Sequence, residues 1–183
     1  MAEQREANLI SITSEPITVK RMVSDLQTLG LQSESLVLVH SSLSKLGWVC
    51  GGPVAVILAL EEVVGPHGTI VMPSHSGENS DPAKWMHPSV PEFWVETIRN
   101  QMPAFDPDLT PTRSMGRIAE TFRKQKGVIR SVHPQDSFCA YGKHAQFITS
   151  NHMLDSGLGE GSPLKKIYDL NYILIIKKCS HLQ

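Results

Sequence analysis

At 183 residues, with 40% hydrophobic and 19% charged side chains, the chain is long enough for one ordinary domain whose core stands without staples. A formal net charge of -1 gives no electrostatic case for nucleic acid or an anionic membrane as the main partner, and points instead to a small ligand. Three cysteines without Cys-x-x-Cys spacing argue against a disulfide framework and a structural zinc site; with no apolar run long enough to cross a bilayer, a cytoplasmic protein is expected.

Residues 1–17 read as a polar lead. Thr18 is placed to cap a helix whose apolar residues Val19, Met22, Val23, Leu26 and Leu29 fall three or four apart, with Gly30 as the stop. "LVLVH" (36–40) is a short aliphatic strand. "PVAVILALEEVV" (53–64) is a helix with Pro in its first turn and a glycine pair just before it, and "GTIVMP" (68–73) is the next strand. Strand, glycine-rich turn, helix and strand make a βαβ unit, so the α/β sheet should contain parallel pairs with its ligand at the strands' carboxyl ends.

From Ser74 to Pro111 six prolines break the chain while Trp85, Phe93, Trp94 and Phe105 add apolar weight, which reads as an ordered excursion beside the sheet. Within it "PEFWVETIRNQM" (91–102) is helical. Beyond it come a helix over 116–125, a strand over 127–133, a helix over 142–151, a Gly- and Ser-rich loop over 155–163, a short helix "PLKKIYDL" and a strand over 172–176.

Three groups of residues carry chemistry. The turn "HSSLSKLGWVCGGP" ends on the helix at residue 53, where unpaired N–H groups and the positive end of the helix dipole favour phosphate or carbonyl oxygens. Its spacing is neither Gly-x-x-x-x-Gly-Lys-Ser/Thr nor Gly-x-Gly-x-x-Gly, so a tight turn needing positive φ is the competing account. "TPTRSMG" (110–116) sets a guanidinium fork among hydroxyls, a combination that suits phosphate, or simply caps the next helix. His133 stands at a strand end before Pro134, where a general base could be oriented by Glu120 or Asp136; His40 has equal standing. Carboxylates in the excursion and the late loop could together line a pocket for a polycation, although Asp before Pro or Gly is commonly a turn former. No His/Cys cluster supports a metal.

The segments "VHSSLSKLGWVCGGPVAVILAL", "GTIVMPSHSGENSDPAKW", "VPEFWVETIRNQMPAFDPDLTPTRSMGRIAETFR", "RSVHPQDSFCAYGKHAQFIT" and "LDSGLGEGSPLKKIYDL" resemble the aminoglycoside 3-N-acetyltransferase family. The resemblance implies the antibiotic N-acetyltransferase fold, distinct from the GNAT fold: a central mixed sheet with flanking helices. It also implies transfer of acetyl from acetyl-CoA, as cosubstrate, to the 3-amino group of the deoxystreptamine ring of an aminoglycoside or a related small amine, with no metal. Ser41, Ser42, Leu43 and Ser44, with Gly51 and Gly52 permitting close approach, would border the pantetheine and pyrophosphate of CoA. Thr110, Thr112 and Arg113 would form the second side of that groove. Asp81, Asp155 and Glu160 would suit a cationic sugar. The amine must be neutral to attack, so a base and oxyanion donors are required; His133, with Glu120 orienting it, is the candidate base.

The resemblance covers residues 18–176, read as one acetyltransferase-like domain incomplete at its carboxyl end, followed by a divergent tail, 177–183. Phe105 stands where the family commonly has Tyr. The family continues past "YDL" into an Asn-Thr-Ser-x-His-Leu motif whose His is its leading catalytic base. His181 in "CSHLQ" lacks that context and does not inherit the role. The end therefore reads as a truncation. That sets a non-catalytic remnant binding only CoA or aminoglycoside beside the enzyme reading, with a hydrolase using His133 and a nearby serine third, for want of a Gly-x-Ser-x-Gly elbow.

Overall fold

The structure, a computed structural model, describes residues 2–170 and 174–177. Its first element is one that sequence periodicity does not announce: α1 (Ala2–Ile12). The lead is docked, since the Trp48 indole N–H donates to Glu6 Oε1 at 3.1 Å and the Trp48 backbone N–H to Thr13 Oγ1 at 2.9 Å. Next comes α2 (Val19–Thr28), capped as expected by Thr18, whose hydroxyl accepts from the Arg21 N–H at 3.3 Å. Met22 is buried, but Leu29 closes the helix and is 65% exposed, so it leaves the packed face.

The βαβ unit comes next: β1 (Leu36–His40), a short α3 (Leu43–Leu46), α4 (Gly52–Val64) and β2 (Thr69–Pro73). The strands are parallel, Leu36 opposite Thr69 and Leu38 opposite Val71. The excursion contains 3-10 turns over Pro82–Lys84 and Glu92–Trp94, the second leading into α5 (Val95–Gln101), so the helix expected over 91–102 starts tightly wound. Phe93 and Trp94 stay exposed; the excursion does not pack through them.

After α6 (Gly116–Phe122) the strand expected over 127–133 shrinks to β3 (Ile129–Arg130), and the helix expected over 142–151 to α7 (Ala145–Thr149). Between them stands β4 (Phe138–Gly142), which sequence patterning does not reveal; α8 (Pro163–Asp169) and β5 (Leu174–Lys177) complete the chain. The first residues of the strand expected over 172–176 and all of the tail beyond Lys177, His181 included, lie outside the described residues.

The strands form one mixed sheet in the order β3-β4-β2-β1-β5, with β4 antiparallel to both β2 and β3 and β1 parallel to β2 and β5. Alternation sorts the side chains to two buried faces. Val37, Val39, Ile70, Met72 and Cys139 meet α2, α4 and α6; Leu36, Leu38, Val71, Phe138 and Ala140 meet α7 and α8. Helices on both sides of a mixed sheet are the expected architecture. Burial pushes the Cys139 thiol up to about 11, so it stays protonated and inert.

Two ionic groups, Arg130 buried and Glu120 partly buried, hold the excursion to this frame. Arg130, 8% exposed, donates to the carbonyl oxygens of Ser74 (2.6 Å), Thr110 (2.5 Å) and Pro107 (3.2 Å) and to Ser137 Oγ (3.0 Å), with Phe105 beneath its guanidinium at 4.9 Å. On α6, Glu120 accepts from the Thr112 N–H (3.0 Å) and hydroxyl (2.9 Å) and pairs with Arg123 at 2.8 Å. Burial alone would raise the Glu120 carboxyl, but bonds from Arg123, Thr112 and Lys124 outweigh it and hold the group well below the usual carboxylate range.

Arg130→Leu strands these carbonyls inside the protein and should cost about 3 kcal/mol, read as a lower urea midpoint at unchanged slope. Arg130→Lys, with fewer donors, should recover only part of it, and an unchanged midpoint for Arg130→Leu would show that the excursion holds itself. The depressed Glu120 carboxyl contributes stability that is complete above its ordinary value of 4.5 and lost as pH falls below it. Urea midpoints measured against pH should therefore drop less steeply below that value in Glu120→Gln than in the parent chain.

Candidate active site

The carboxyl ends of β1 and β2 face the same side, and the chain leaving β1 must turn before α4 can return it. That turn is a groove of about 830 Å³. One wall is Ser41 to Ser44 and the amino end of α4, the other Ser114 to Arg117, with Glu6, Leu9 and Trp48 closing a side. Gly51, at φ 88, takes the left-handed cap position of α4 that other residues adopt only with strain. Gly52, at φ 57, has no atom within 4 Å of where a β-carbon would sit, so it borders open space. No side chain caps α4; the Gly52 N–H donates to the Val49 carbonyl at 3.0 Å and Pro53 has none, so what the helix start offers an anion is chiefly the positive end of its dipole. The hydroxyls of Ser42 and Ser44 lie 3.2 Å apart, and Arg117 adds a cation to the opposite wall.

The structure thus brings together Ser41, Ser42, Leu43, Ser44, Gly51 and Gly52 as the sequence predicts. It does not bring Thr110, Thr112 and Arg113 to the same groove. The Thr110 hydroxyl accepts from the Asp106 N–H at 2.9 Å, and Thr112 is taken by Glu120. Arg113 turns to Glu78 at 3.5 Å and lines a separate cavity of about 400 Å³ with Gly77, Trp85 and His87. The second wall is the next four residues, swung into place by Ser114 at φ 60 and Gly116 at φ 84.

His133 and Glu120 do not meet either. His133 is 5% exposed; its Nδ1 accepts the N–H groups of Gln135 (3.2 Å) and Asp136 (2.8 Å), while Nε2 faces the Leu154 carbonyl at 3.3 Å. A carbonyl only accepts, so Nε2 carries the proton and no lone pair is left to take another. A general base needs that lone pair; the assignment of His133 as base, and of Glu120 as its orienting partner, is corrected on this geometry. His75, which sequence reasoning passed over, has a buried Nε2 with no hydrogen-bond partner among the described residues. Burial lowers its proton affinity, Asp136 raises it, and His40, His133 and Arg130 lower it further, for a net depression. Its only sequence signal was its place just after β2.

The proposed substrate carboxylates are dispersed. Asp81 caps the Pro82–Lys84 turn and pairs with Arg99 at 2.9 Å. The Ala83 N–H and Arg99 hold its carboxyl below the ordinary value. Asp155 is exposed on the late loop, and Glu160, 88% exposed, lies 3.8 Å from Lys165. None of the three lines either cavity. Among the described residues no group of three or more His, Cys, Asp or Glu could hold a metal, and no helix is long and apolar enough to cross a membrane.

A family model described as aminoglycoside 3-N-acetyltransferase matches residues 38–177. The SPbeta prophage-derived aminoglycoside N(3')-acetyltransferase-like protein YokD of Bacillus subtilis (strain 168) is 50% identical over 182 residues, covering 95% of this chain and 67% of that protein. Its crystal structure superposes with a TM-score of 0.86 at 52% identity, over 88% of this chain and 60% of that one. The binary structure of AAC-IIIb with CoASH gives 0.73 at 33% identity, covering 88% and 59%. That of AAC-VIa bound to sisomicin gives 0.75 at 32% identity, covering 90% and 60%. The chain thus spans about two thirds of the curated relative and about three fifths of these solved chains. With a family match over residues 38–177 and relatives of closely similar fold, this chain belongs to the aminoglycoside 3-N-acetyltransferase family.

Proposed function

We propose that the chain holds acetyl-CoA in the groove between Ser41–Ser44 and Ser114–Arg117 and serves transfer of its acetyl group to the 3-amino group of an aminoglycoside's deoxystreptamine ring. The observation that carries this reading is the groove itself: an uncapped helix end, three serine hydroxyls and a guanidinium around about 830 Å³. Those donors fit the pyrophosphate and amide oxygens of a nucleotide thioester carrier, and a relative of the same fold was solved with CoASH.

Bound there, acetyl-CoA supplies an activated acyl group. The chain's residues do the rest: the α4 amino end and Ser41, Ser42 and Ser44 bind and orient, Gly51 and Gly52 let the carrier approach the backbone, and Arg117 balances phosphate charge. The acceptor is read as an aminoglycoside because a relative was solved with sisomicin, with Asp155 and Glu160 as the carboxylates still open to a cationic sugar. The unit comprises residues 18–176 with α1 docked against it, and we place it in the cytoplasm, where the exposed thiol of Cys50 stays reduced. Because both nitrogens of His133 are committed, a chain that binds CoA without turnover is the second reading.

Thiol release from acetyl-CoA in the presence of sisomicin or gentamicin separates the two: release that depends on the aminoglycoside supports transfer, and calorimetric CoA binding without release supports the carrier-binding remnant. Gly52 tests the groove directly. Asn tolerates positive φ, so Gly52→Asn should keep most CoA affinity, whereas Gly52→Asp places a carboxylate at the helix end and should weaken CoA about tenfold relative to it. Equal affinities for the two variants would put the phosphates elsewhere.

A further inference from the structure

Residues 153 to 161 close on themselves. The Met153 N–H donates to the Gly161 carbonyl at 3.1 Å, the Ser156 N–H to the Met153 carbonyl at 3.2 Å, and the Gly161 N–H to Ser156 Oγ at 2.9 Å. Met153, Leu154 and Leu158 are each more than half exposed, so the loop's side chains give it little purchase on the core. Its backbone is held by two histidines instead. His133 Nε2 donates to the Leu154 carbonyl at 3.3 Å and His152 Nε2 to the Gly157 carbonyl at 2.8 Å. The two rings stack, centroids 4.6 Å apart and planes 31° apart, and each residue is 5% exposed.

The geometry favours a neutral His152. His133 is fixed beside it by the Gln135 and Asp136 N–H groups, which donate to its Nδ1. His152 Nε2 donates to the Gly157 carbonyl, so Nδ1 of the neutral ring holds a lone pair 2.9 Å from Ser131 Oγ; the Ser131 hydroxyl donates to it while accepting from the Phe138 N–H at 2.9 Å. A proton on that nitrogen leaves the Ser131 hydroxyl hydrogen, on a residue 1% exposed, without an acceptor.

We propose that the His133–His152 pair is a pH-sensitive latch that positions the Met153–Gly161 loop: while His152 is neutral the stacked rings hold the loop against the β3–β4 connection, and proton uptake by His152 releases it. The charged groups facing the pair act in both directions. From the β3–β4 connection Asp136 favours the His152 cation; Lys166 on α8 opposes it. For His152 burial dominates and lowers proton affinity, the Gly157 bond raises it, and His133 lowers it, leaving a net depression. The folded state thus binds fewer protons than the unfolded one, so the latch is fully set above the ordinary value of 6.5 and is lost as pH falls below it. Neither ring touches the groove; both are positioning residues, acting through the loop that carries Asp155 and Glu160. That last consequence, for amine binding, rests on the proposed function, whereas the latch does not.

Amide exchange, corrected for its intrinsic pH dependence, tests the latch on the intact chain. Protection of residues 153–161 should fall about tenfold or more from about pH 7.5 to about pH 5, while β1 and β2 keep theirs. His152→Gln keeps a donor for Gly157 but cannot take a proton, and should lose at least half of that pH response. Gly157→Ala, whose β-carbon would run into the Asp136 carboxylate, should leave the loop unprotected at every pH. Sisomicin affinity should weaken about tenfold over the same range, although the drug gains charge, with CoA affinity changing less than about twofold. Loop protection that does not respond to pH in the parent chain overturns the latch, as does an undiminished response in His152→Gln. If that variant does not fold, the parent series and Gly157→Ala decide. A pH-dependent loop in a chain that binds neither sisomicin nor CoA at any pH overturns the proposed function and leaves the latch standing.

Discussion

A single buried guanidinium sets the geometry of the ligand end of this sheet. Arg130, at the end of the short β3, has no carboxylate among its hydrogen-bond acceptors; it spends its donors on backbone carbonyls of Ser74, just after β2, and of Pro107 and Thr110, at the end of the excursion. A cation taken out of water is tolerated only where enough oxygen dipoles replace its hydration, and these carbonyls would themselves be stranded without it. The arrangement is therefore mutual. It fixes Thr110 against the strand ends, and two residues on Glu120 fixes Thr112 to α6. A chain pinned at both points can leave Thr112 in few directions, and the one it takes carries Ser114–Arg117 into the wall facing Ser41–Ser44. The groove is a consequence of one buried and one partly buried ion that do not line it.

That wall gives a chain of net charge -1 a groove with a cation on one side and a positive helix end on the other. Attraction within a groove is decided by the nearest dipoles and charges, because fields from exposed side chains are screened within about 10 Å at ordinary salt. The local sources are an uncapped helix end, serine hydroxyls and Arg117, set against Glu6 on the closing side, whose carboxylate accepts the Trp48 indole N–H; Glu78, Asp81 and Glu120 lie outside the groove and pair with Arg113, Arg99 and Arg123. Net charge averages over the whole surface and is silent about the local field of one groove.

The sequence made visible what is encoded locally. The β1–α4–β2 unit announced itself through an aliphatic run, Pro53 in a first turn and glycines where φ is positive, and the Ser41–Ser44 and Gly51–Gly52 site emerged from the same punctuation. What stayed hidden depends on partners distant in the chain. β4 is a strand because β2 and β3 flank it; its small Cys139 and Ala140 carry no periodicity to read. α1 shows weak amphipathicity and is placed by Glu6 and Thr13 reaching Trp48. Thr112 looked like a phosphate ligand because a hydroxyl beside an arginine has the right chemistry, and only the fold shows Glu120 already holding it. The groove wall is formed by the residues just after that motif.

The histidines show the same dependence at single atoms. A histidine before proline at a strand end is a sound place to seek a base, yet the proline that turns the chain also brings the Gln135 and Asp136 amides back onto Nδ1. The turn that presents the ring consumes its lone pair. His152 is spent in the same way through Ser131, and the two rings together hold a loop whose own side chains are largely exposed. His75, with neither a proline nor a helix to mark it, is the ring left with a buried nitrogen unpaired, and burial keeps it neutral. Basicity at such a site is therefore set by which backbone amides the next turn aims at the ring. That quantity belongs to φ and ψ three residues downstream, which is why residue type and position alone did not show that the His133 lone pair is already engaged.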